Sequence, residues 1–173
     1  MNDARTYAIA GLLLALATHF AIVFGMPRVL MNVAFDRVSA HSAHINEMLR
    51  PPRVTEASRA IVRPSPDLEY STCAYDLSHG PVVMRVTAWP QYWSLSLYAA
   101  NTDNYFVLDD REAHGGAEIT LVRAGHPHPK DAASVVESPT DRGIALVRRL
   151  APSQAEFDAA SAASARDVCA PLH

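Results

Sequence analysis

The chain has 173 residues, 49% hydrophobic and 19% charged, with 15 Lys and Arg against 18 Asp and Glu and a formal net charge of -3 at pH 7. That length suits one folded core, and the composition excludes both an acidic disordered chain and a protein that binds nucleic acid by neutralising phosphates. Aromatic content of 8%, 12 Pro and 7 Gly describe a packed core with many loops.

Tyr7 to Met26 contains no charged residue and lies between Arg5 and Arg28. A helix rises about 1.5 Å per residue, so roughly 20 residues cross a hydrocarbon layer of about 30 Å while satisfying their own backbone polar groups. Residues 1–26 are therefore expected to form an N-terminal segment with one transmembrane helix. A cleaved signal peptide is the chief alternative, since Ala15-Leu16-Ala17 has the small-x-small pattern of a cleavage site. The apolar run continues through Phe20, Ile22, Val23 and Phe24, beyond the roughly 7–15 residues of a signal core. A buried soluble helix is the third reading. His19 is read as a helix-packing or interfacial polar residue. Arg5 and the amino terminus nearly cancel Arg28 and Arg37, so charge leaves the orientation open.

Residues 27–63 hold six arginines (Arg28, Arg37, Arg50, Arg53, Arg59, Arg63) and three acids (Asp36, Glu47, Glu56), a balance of +3. Residues 64–173 carry 8 basic and 14 acidic residues, a balance of -6. A basic collar thus lies between the apolar run and an acidic body, and anionic headgroups attract such a collar, which makes the lipid bilayer the first expected partner. Val38, His41, Ile45 and Leu49 recur at near-helical spacing, which predicts a helical linker. Pro51-Pro52 stops that helix, and Thr55 to Ile61 is a short stretch able to resume it. His41 and His44, three apart, read as a polar juxtamembrane face.

Beyond Pro64-Ser65-Pro66 the apolar period shifts toward two. Strands are predicted at 68–77, 81–88, 92–100, 104–109, 117–122, 133–137 and 143–150. The clearest alternation sets Trp93, Leu95, Leu97 and Ala99 against Ser94, Ser96 and Tyr98. Six or seven short strands without intervening helices make an antiparallel sandwich or small barrel. Ser153 and Glu156 form a capping box that opens a helix over 154–168, with Phe157, Ala160 and Val168 on one face. Cys73 and Cys169 are the only cysteines, an even count that suits one disulfide in an oxidising compartment; two unrelated buried thiols are the alternative.

The residues that carry chemistry point to no single reaction. Asp76 to Pro81, which includes Ser78-His79-Gly80, reads as a turn between strands, and no Gly-x-Ser-x-Gly elbow exists. Gly115-Gly116 lacks the spaced Gly and the Lys of a phosphate loop. His126 and His128 lie on one side of an extended stretch and are the candidate metal ligands, with His114 and Asp131 able to complete the set; Pro127 and Pro129 make the same stretch a solvent loop. Asn101-Thr102-Asp103-Asn104 offers oxygens but has the composition of a β-turn, and Asp109 to Glu112 reads as a solvated charged loop. Tyr70, Tyr75, Tyr92 and Trp93 would stack on a sugar if exposed and pack in the core otherwise.

Four stretches carry a resemblance: Pro64-Ser65-Pro66-Asp67-Leu68-Glu69-Tyr70-Ser71, Asp76-Leu77-Ser78-His79-Gly80-Pro81-Val82-Val83, Tyr92-Trp93-Ser94 and Asn101-Thr102-Asp103-Asn104. Together they resemble the bacterial domain-of-unknown-function family twelve fifty-four, best over residues 64–110. The resemblance implies a β-rich, jelly-roll-like module, often followed in longer relatives by a second module, numbered twelve fourteen. This chain looks like the short membrane-anchored form, so the companion module would be a separate polypeptide. Where longer relatives tend to have Asp-Thr-Leu-Tyr, this chain has Asp67-Leu68-Glu69-Tyr70, without the Thr hydroxyl.

The expected protein is mainly β, an antiparallel jelly-roll-like sandwich or small barrel with an N-terminal transmembrane helix and a C-terminal helix. Its regions are 1–26, a basic juxtamembrane helical linker at 27–63, and a β-rich domain at 64–173. It is expected in the bacterial inner membrane, single-pass, with the globular part periplasmic. The expected role is that of a binding or accessory module paired with a companion of the twelve-fourteen family. Asp67, Tyr70, His79 and Trp93 are its ligand-binding candidates and Cys73 and Cys169 its disulfide. No catalytic residue and no cofactor is implied. The alternatives are an envelope hydrolase or metal-dependent enzyme using Asp67, Tyr70, His79 or the His126/His128 pair, and a glycan-binding module.

Overall fold

The computed structural model describes residues 2–59, 62–113, 115–132 and 134–172. Helix α1 runs unbroken over Asn2–Val38, 37 residues, well past the apolar stretch. At about 1.5 Å per residue it is roughly 55 Å long. Pro27 lies inside it and removes one backbone donor; Arg28 Nη1 donates to Phe24 O at 2.6 Å beside that gap. The most apolar window of the helix has a mean hydropathy of 2.1 and touches nothing else in the protein. This meets the length and composition of a membrane span, a test that a signal sequence also passes.

The C-terminal turns of α1 behave differently. Met31 and Phe35 are buried, and Ala34 and Val38 partly so, against Ala74 and Ile144 of the β domain. Their spacing of three and four residues makes one helix face. The predicted helix beyond Val38 does not form. Ala40, His41, Ser42 and Asn46 all have positive φ, and the chain turns back so that Ile45 bridges Ala74 and Leu49 bridges Thr72. Val38, His41, Ile45 and Leu49 imitate helical periodicity because the folded-back segment places its apolar side chains on the sheet one at a time. Asn46 fixes this turn, donating from Nδ2 to Asp76 O (3.0 Å) and accepting from Asp76 N (2.8 Å). Beyond Pro51-Pro52 the expected resumption of helix at 55–61 is a single turn at Glu56 and Ala57, and Ile61 lies outside the described residues.

The domain consists of β1 (Leu68–Asp76), β2 (Val82–Val86), β3 (Trp93–Ala99), β4 (Asn104–Asp109), β5 (Ala117–Arg123), β6 (Val135–Ser138), β7 (Arg142–Leu150), α2 (Gln154–Ser164) and β8 (Val168–Pro171). One four-stranded sheet has the order β1-β7-β3-β4 and the other β6-β5-β2-β8. The two stack as a sandwich rather than closing into a barrel. Among the named strands all pairings are antiparallel except β5 with β6, which run in parallel. All seven predicted strands form; β8 was not anticipated.

Helix α2 opens on the expected capping box, Glu156 N donating to Ser153 Oγ (3.2 Å) and Ser153 N to Glu156 Oε2 (2.9 Å). It ends at Ser164 rather than 168, and Val168 belongs to β8, where it pairs with Arg85 instead of continuing the helical face. Four strand residues paired to one neighbour carry too weak a periodic signal to separate from a helix end.

Between the sheets pack Tyr75, Trp93, Leu95, Leu97 and Val147 from one side and Val82, Met84 and Leu121 from the other, all nearly inaccessible. Each such side chain contributes about 1.5–3 kcal/mol of transfer free energy. Cys73 on β1 is bonded to Cys169 on β8, so the disulfide joins the two sheets across the core and closes a loop of 96 residues. Gly143 on β7 has no room for a side chain, because a Cβ there would collide with Tyr75 Oη and Tyr98 O.

Two stability outcomes follow from this packing. Gly143→Ala is expected to cost about 1–3 kcal/mol through overpacking, read as a shift in denaturant midpoint. Cys169→Ser, by opening the long loop, is expected to cost about 2–5 kcal/mol in the same assay, and reducing agent should lower the wild-type midpoint to a similar degree.

Candidate functional site

Strand β7 pairs on both sides, with β1 and with β3, and its side chains alternate between the core and the outer face of the sheet. It carries two successive arginines, so the pleat sends one each way. Arg149 points inward and is fully buried. Its Nη2 donates to both carboxylate oxygens of Asp167 at 2.8 Å and to Thr87 O at 3.1 Å, and its Nη1 reaches Glu69 Oε2 at 3.4 Å. Thr87 N donates to Asp167 Oδ1 at 2.8 Å, and Ser71 Oγ to Glu69 Oε1 at 3.2 Å. Burial pushes the Glu69 carboxyl up from its ordinary pKa; attraction to Arg149 and donors from Ser164 and Ser71 oppose the shift without cancelling it. This cluster ties β1, β7 and the turn before β8 together inside the core, which makes it a structural fastening.

Arg148 points the other way. On that outer face, Tyr70 and Thr72 of β1, Leu146 and Arg148 of β7 and Tyr98 of β3 form the floor of a cavity of about 900 Å³. The end of α1 and the folded-back arm form its walls, with Val38, Leu49, Pro51, Pro52 and Val54 supplying apolar surface. Arg37, Arg50, Arg63 and His44 also line it, and no Asp or Glu does. Arg50 Nη1 donates to Ser164 O (3.3 Å), and His44 Nδ1 lies 2.7 Å from Glu47 Oε2. Arg148 Nη2 is held by Ser96 Oγ and Tyr98 Oη, each at 3.2 Å, while its Nε is buried without an acceptor. No carboxylate among the described residues pairs with it. Tyr70 Oη, at the cavity edge, accepts from Ser65 N at 2.8 Å and so anchors the start of the domain.

A second contact fixes α1 to the same sheet. Arg142 Nε donates to Asp76 Oδ2 at 2.7 Å while its guanidinium lies 5.7 Å from the Phe35 ring centroid. Burial alone would raise the Asp76 carboxyl, but donors from Ser78 and the Arg142 charge outweigh it and hold the carboxyl below its usual range.

The residues singled out from the sequence are dispersed. Tyr70 lines the cavity, and Asp67 is exposed before β1, with its carbonyl accepting from Ala151 N at 2.8 Å. His79 is exposed in the turn after β1, at the opposite end of that strand from Tyr70. Six residues of strand put about 20 Å between those ends, beyond hydrogen-bond reach of one reacting centre. Trp93 is buried in the core between the sheets. His126 and His128 are exposed on the β5–β6 loop, where His128 Nε2 lies 2.8 Å from Glu137 Oε1. His114 lies outside the described residues, and among those described no three His, Cys, Asp or Glu side chains gather to hold a metal ion. Asn101 to Asn104 form the turn into β4, with Thr102 at positive φ.

Sequence reasoning overlooked Arg148, Arg149, Glu69 and Asp167. The adjacent arginines inside a predicted strand were the available signal, since a two-residue period forces one of them inward, where a carboxylate must meet it.

The architecture is that of a two-sheet sandwich preceded by one long apolar helix. The model of the family described as protein of unknown function (DUF1254) matches residues 45–171, and the chain belongs to that family. No curated protein matches it. Among solved structures it is similar to the VPA0106 protein from Vibrio parahaemolyticus, with a TM-score of 0.66 and 15% identity over 88% of this chain and 37% of that one. It is also similar to an uncharacterized protein from Burkholderia cenocepacia, with a TM-score of 0.50 and 16% identity over 69% of this chain and 35% of that one. At these identities the likeness concerns the fold alone. The chain spans a little over a third of the length of either structure.

The buried cluster yields a pH signature with a definite sign. Because the folded chain holds the Glu69 proton more tightly than the unfolded chain, folding loses free energy as pH rises from the ordinary 4.5 through the raised value. Glu69→Gln stays uncharged, so its stability relative to wild type should rise with pH across that window; a pH-independent difference would mean that Glu69 titrates normally. Arg149→Met, which strands two carboxylates, is expected to destabilise the domain by about 3–5 kcal/mol at neutral pH.

Proposed function

We propose that this protein is a membrane-anchored binding module of the bacterial cell envelope, held in the inner membrane by α1 with the β domain in the periplasm, and that it works with a companion polypeptide. The observation that carries this reading is a sandwich with an exposed edge strand, packed directly against the last turns of a 37-residue apolar helix. The Cys73–Cys169 disulfide supports an oxidising compartment, where such bonds persist. The 37-residue helix supports an anchor, and its last turns pack on the domain, which would hold the sandwich close to the bilayer.

Strand β4 is the natural docking edge. It is one of the two edge strands of its sheet, the other, β1, being bridged by Ile45 and Leu49, and Val107 on β4 is 52% exposed. An unpaired edge offers a row of backbone donors and acceptors to an added strand, which a partner must cover or the sequence must blunt.

Affinity purification of the full chain from detergent extracts, followed by mass spectrometry, tests the proposal. The expected result is a stoichiometric companion of the twelve-fourteen family, lost on Val107→Lys; recovery of the chain alone would refute the pairing. For the compartment, an alkaline phosphatase fused after residue 172 should be active and one fused to the cytoplasmic end of α1 inactive.

A further inference from the structure

The cavity between the arm and the outer face of the sheet has a chemistry of its own, independent of any companion. Its volume, about 900 Å³, lies within the usual range for small-molecule sites, about 300–1,000 Å³. Its interior walls are aliphatic and proline-rich, yet its polar lining is one-signed, with four arginines and no acid. An arginine set into an apolar pocket without a carboxylate leaves its charge uncompensated, which is costly unless an anion completes the site. Arg148 is in that condition: two hydroxyls hold Nη2, and no carboxylate among the described residues pairs with the side chain. Nη1, neither buried nor hydrogen-bonded, is the donor left to meet an incoming carboxylate.

We infer that this cavity binds a single-chain anionic amphiphile, a long-chain carboxylate whose head group pairs with Arg148 and whose alkyl chain lies against Leu146, Leu49 and Val38. The head sits at the sheet because Ser96 and Tyr98 fix Arg148 there. The tail runs along the arm because that wall is apolar. Arg50 and Arg63 add positive charge to the lining and attract the ligand as it approaches. A molecule of this class partitions into the bilayer, beside which the anchoring proposed above for α1 would set the cavity.

The test uses the full chain in phosphatidylcholine nanodiscs and radiolabelled dodecanoate, with empty discs as the blank. One saturable site per chain is expected. Arg148→Gln should weaken it by at least about tenfold, the loss of one charged hydrogen-bonded pair. Leu146→Trp, which fills the cavity from its apolar floor and keeps every arginine, should abolish binding while the disulfide and the unfolding transition remain. Dodecyl phosphate should compete, and dodecanol and dodecyltrimethylammonium should not. The inference is overturned if no saturable binding exceeds the blank, if Arg148→Gln binds as wild type does, or if dodecanol competes equally. It is overturned as to class if inorganic phosphate alone displaces dodecanoate, or if phosphatidylglycerol built into the discs occupies the site first. These readouts involve no second protein, so they fail or succeed separately from the companion experiment.

Discussion

The pleat of β7 organises this molecule. Because successive strand residues face opposite sides, the Arg148-Arg149 pair cannot share an environment, and the sheet sends one charge into the core and the other onto its outer face. Inside, the charge is tolerable only because Asp167 and Glu69 meet it, which obliges the turn after α2 to approach β1 and sets β8 down beside β2. Outside, the charge lies at the floor of a cavity walled by apolar residues. The fold and the site therefore hang on one local constraint.

The outer face of the same sheet is also where the apolar helix meets the domain. Met31 and Phe35 rest on Ala74 and Ile144, Arg142 spans from Asp76 to the Phe35 ring, and Asn46 closes the turn between helix and arm onto Asp76. These contacts make the junction a packed one rather than a flexible tether. Movement of the helix relative to the sheet would expose the apolar surface of Met31 and Phe35, which holds the cavity wall contributed by α1 in place.

Membership in a family without assigned chemistry, and likeness to two solved structures of which the chain covers little more than a third, locate the fold without supplying a reaction. The residues first considered for catalysis, Asp67, Tyr70 and His79, are distributed along the length of β1 and past its end. What the structure gathers instead is a set of cations around apolar surface, an arrangement suited to holding a ligand.

The sequence by itself determined the elements whose physics is local. The helix over Tyr7 to Met26 is legible because the run is long, apolar and free of charge, the seven strands because alternation has a period of two, and the start of α2 because Ser153 and Glu156 satisfy backbone amides within one turn. Tertiary structure alone decided what depends on partners distant in the chain. Val38 to Leu49 read as helix because its spacing is helical, yet bridges to Ala74 and Thr72 reward a folded-back course more than one isolated turn of helix would gain. β8 exists because Met84 and Arg85 present an edge for it, and Arg149 is buried because Asp167 arrives from elsewhere. The cavity is three separate stretches of chain meeting on one sheet face, and no spacing within a single stretch records such a meeting.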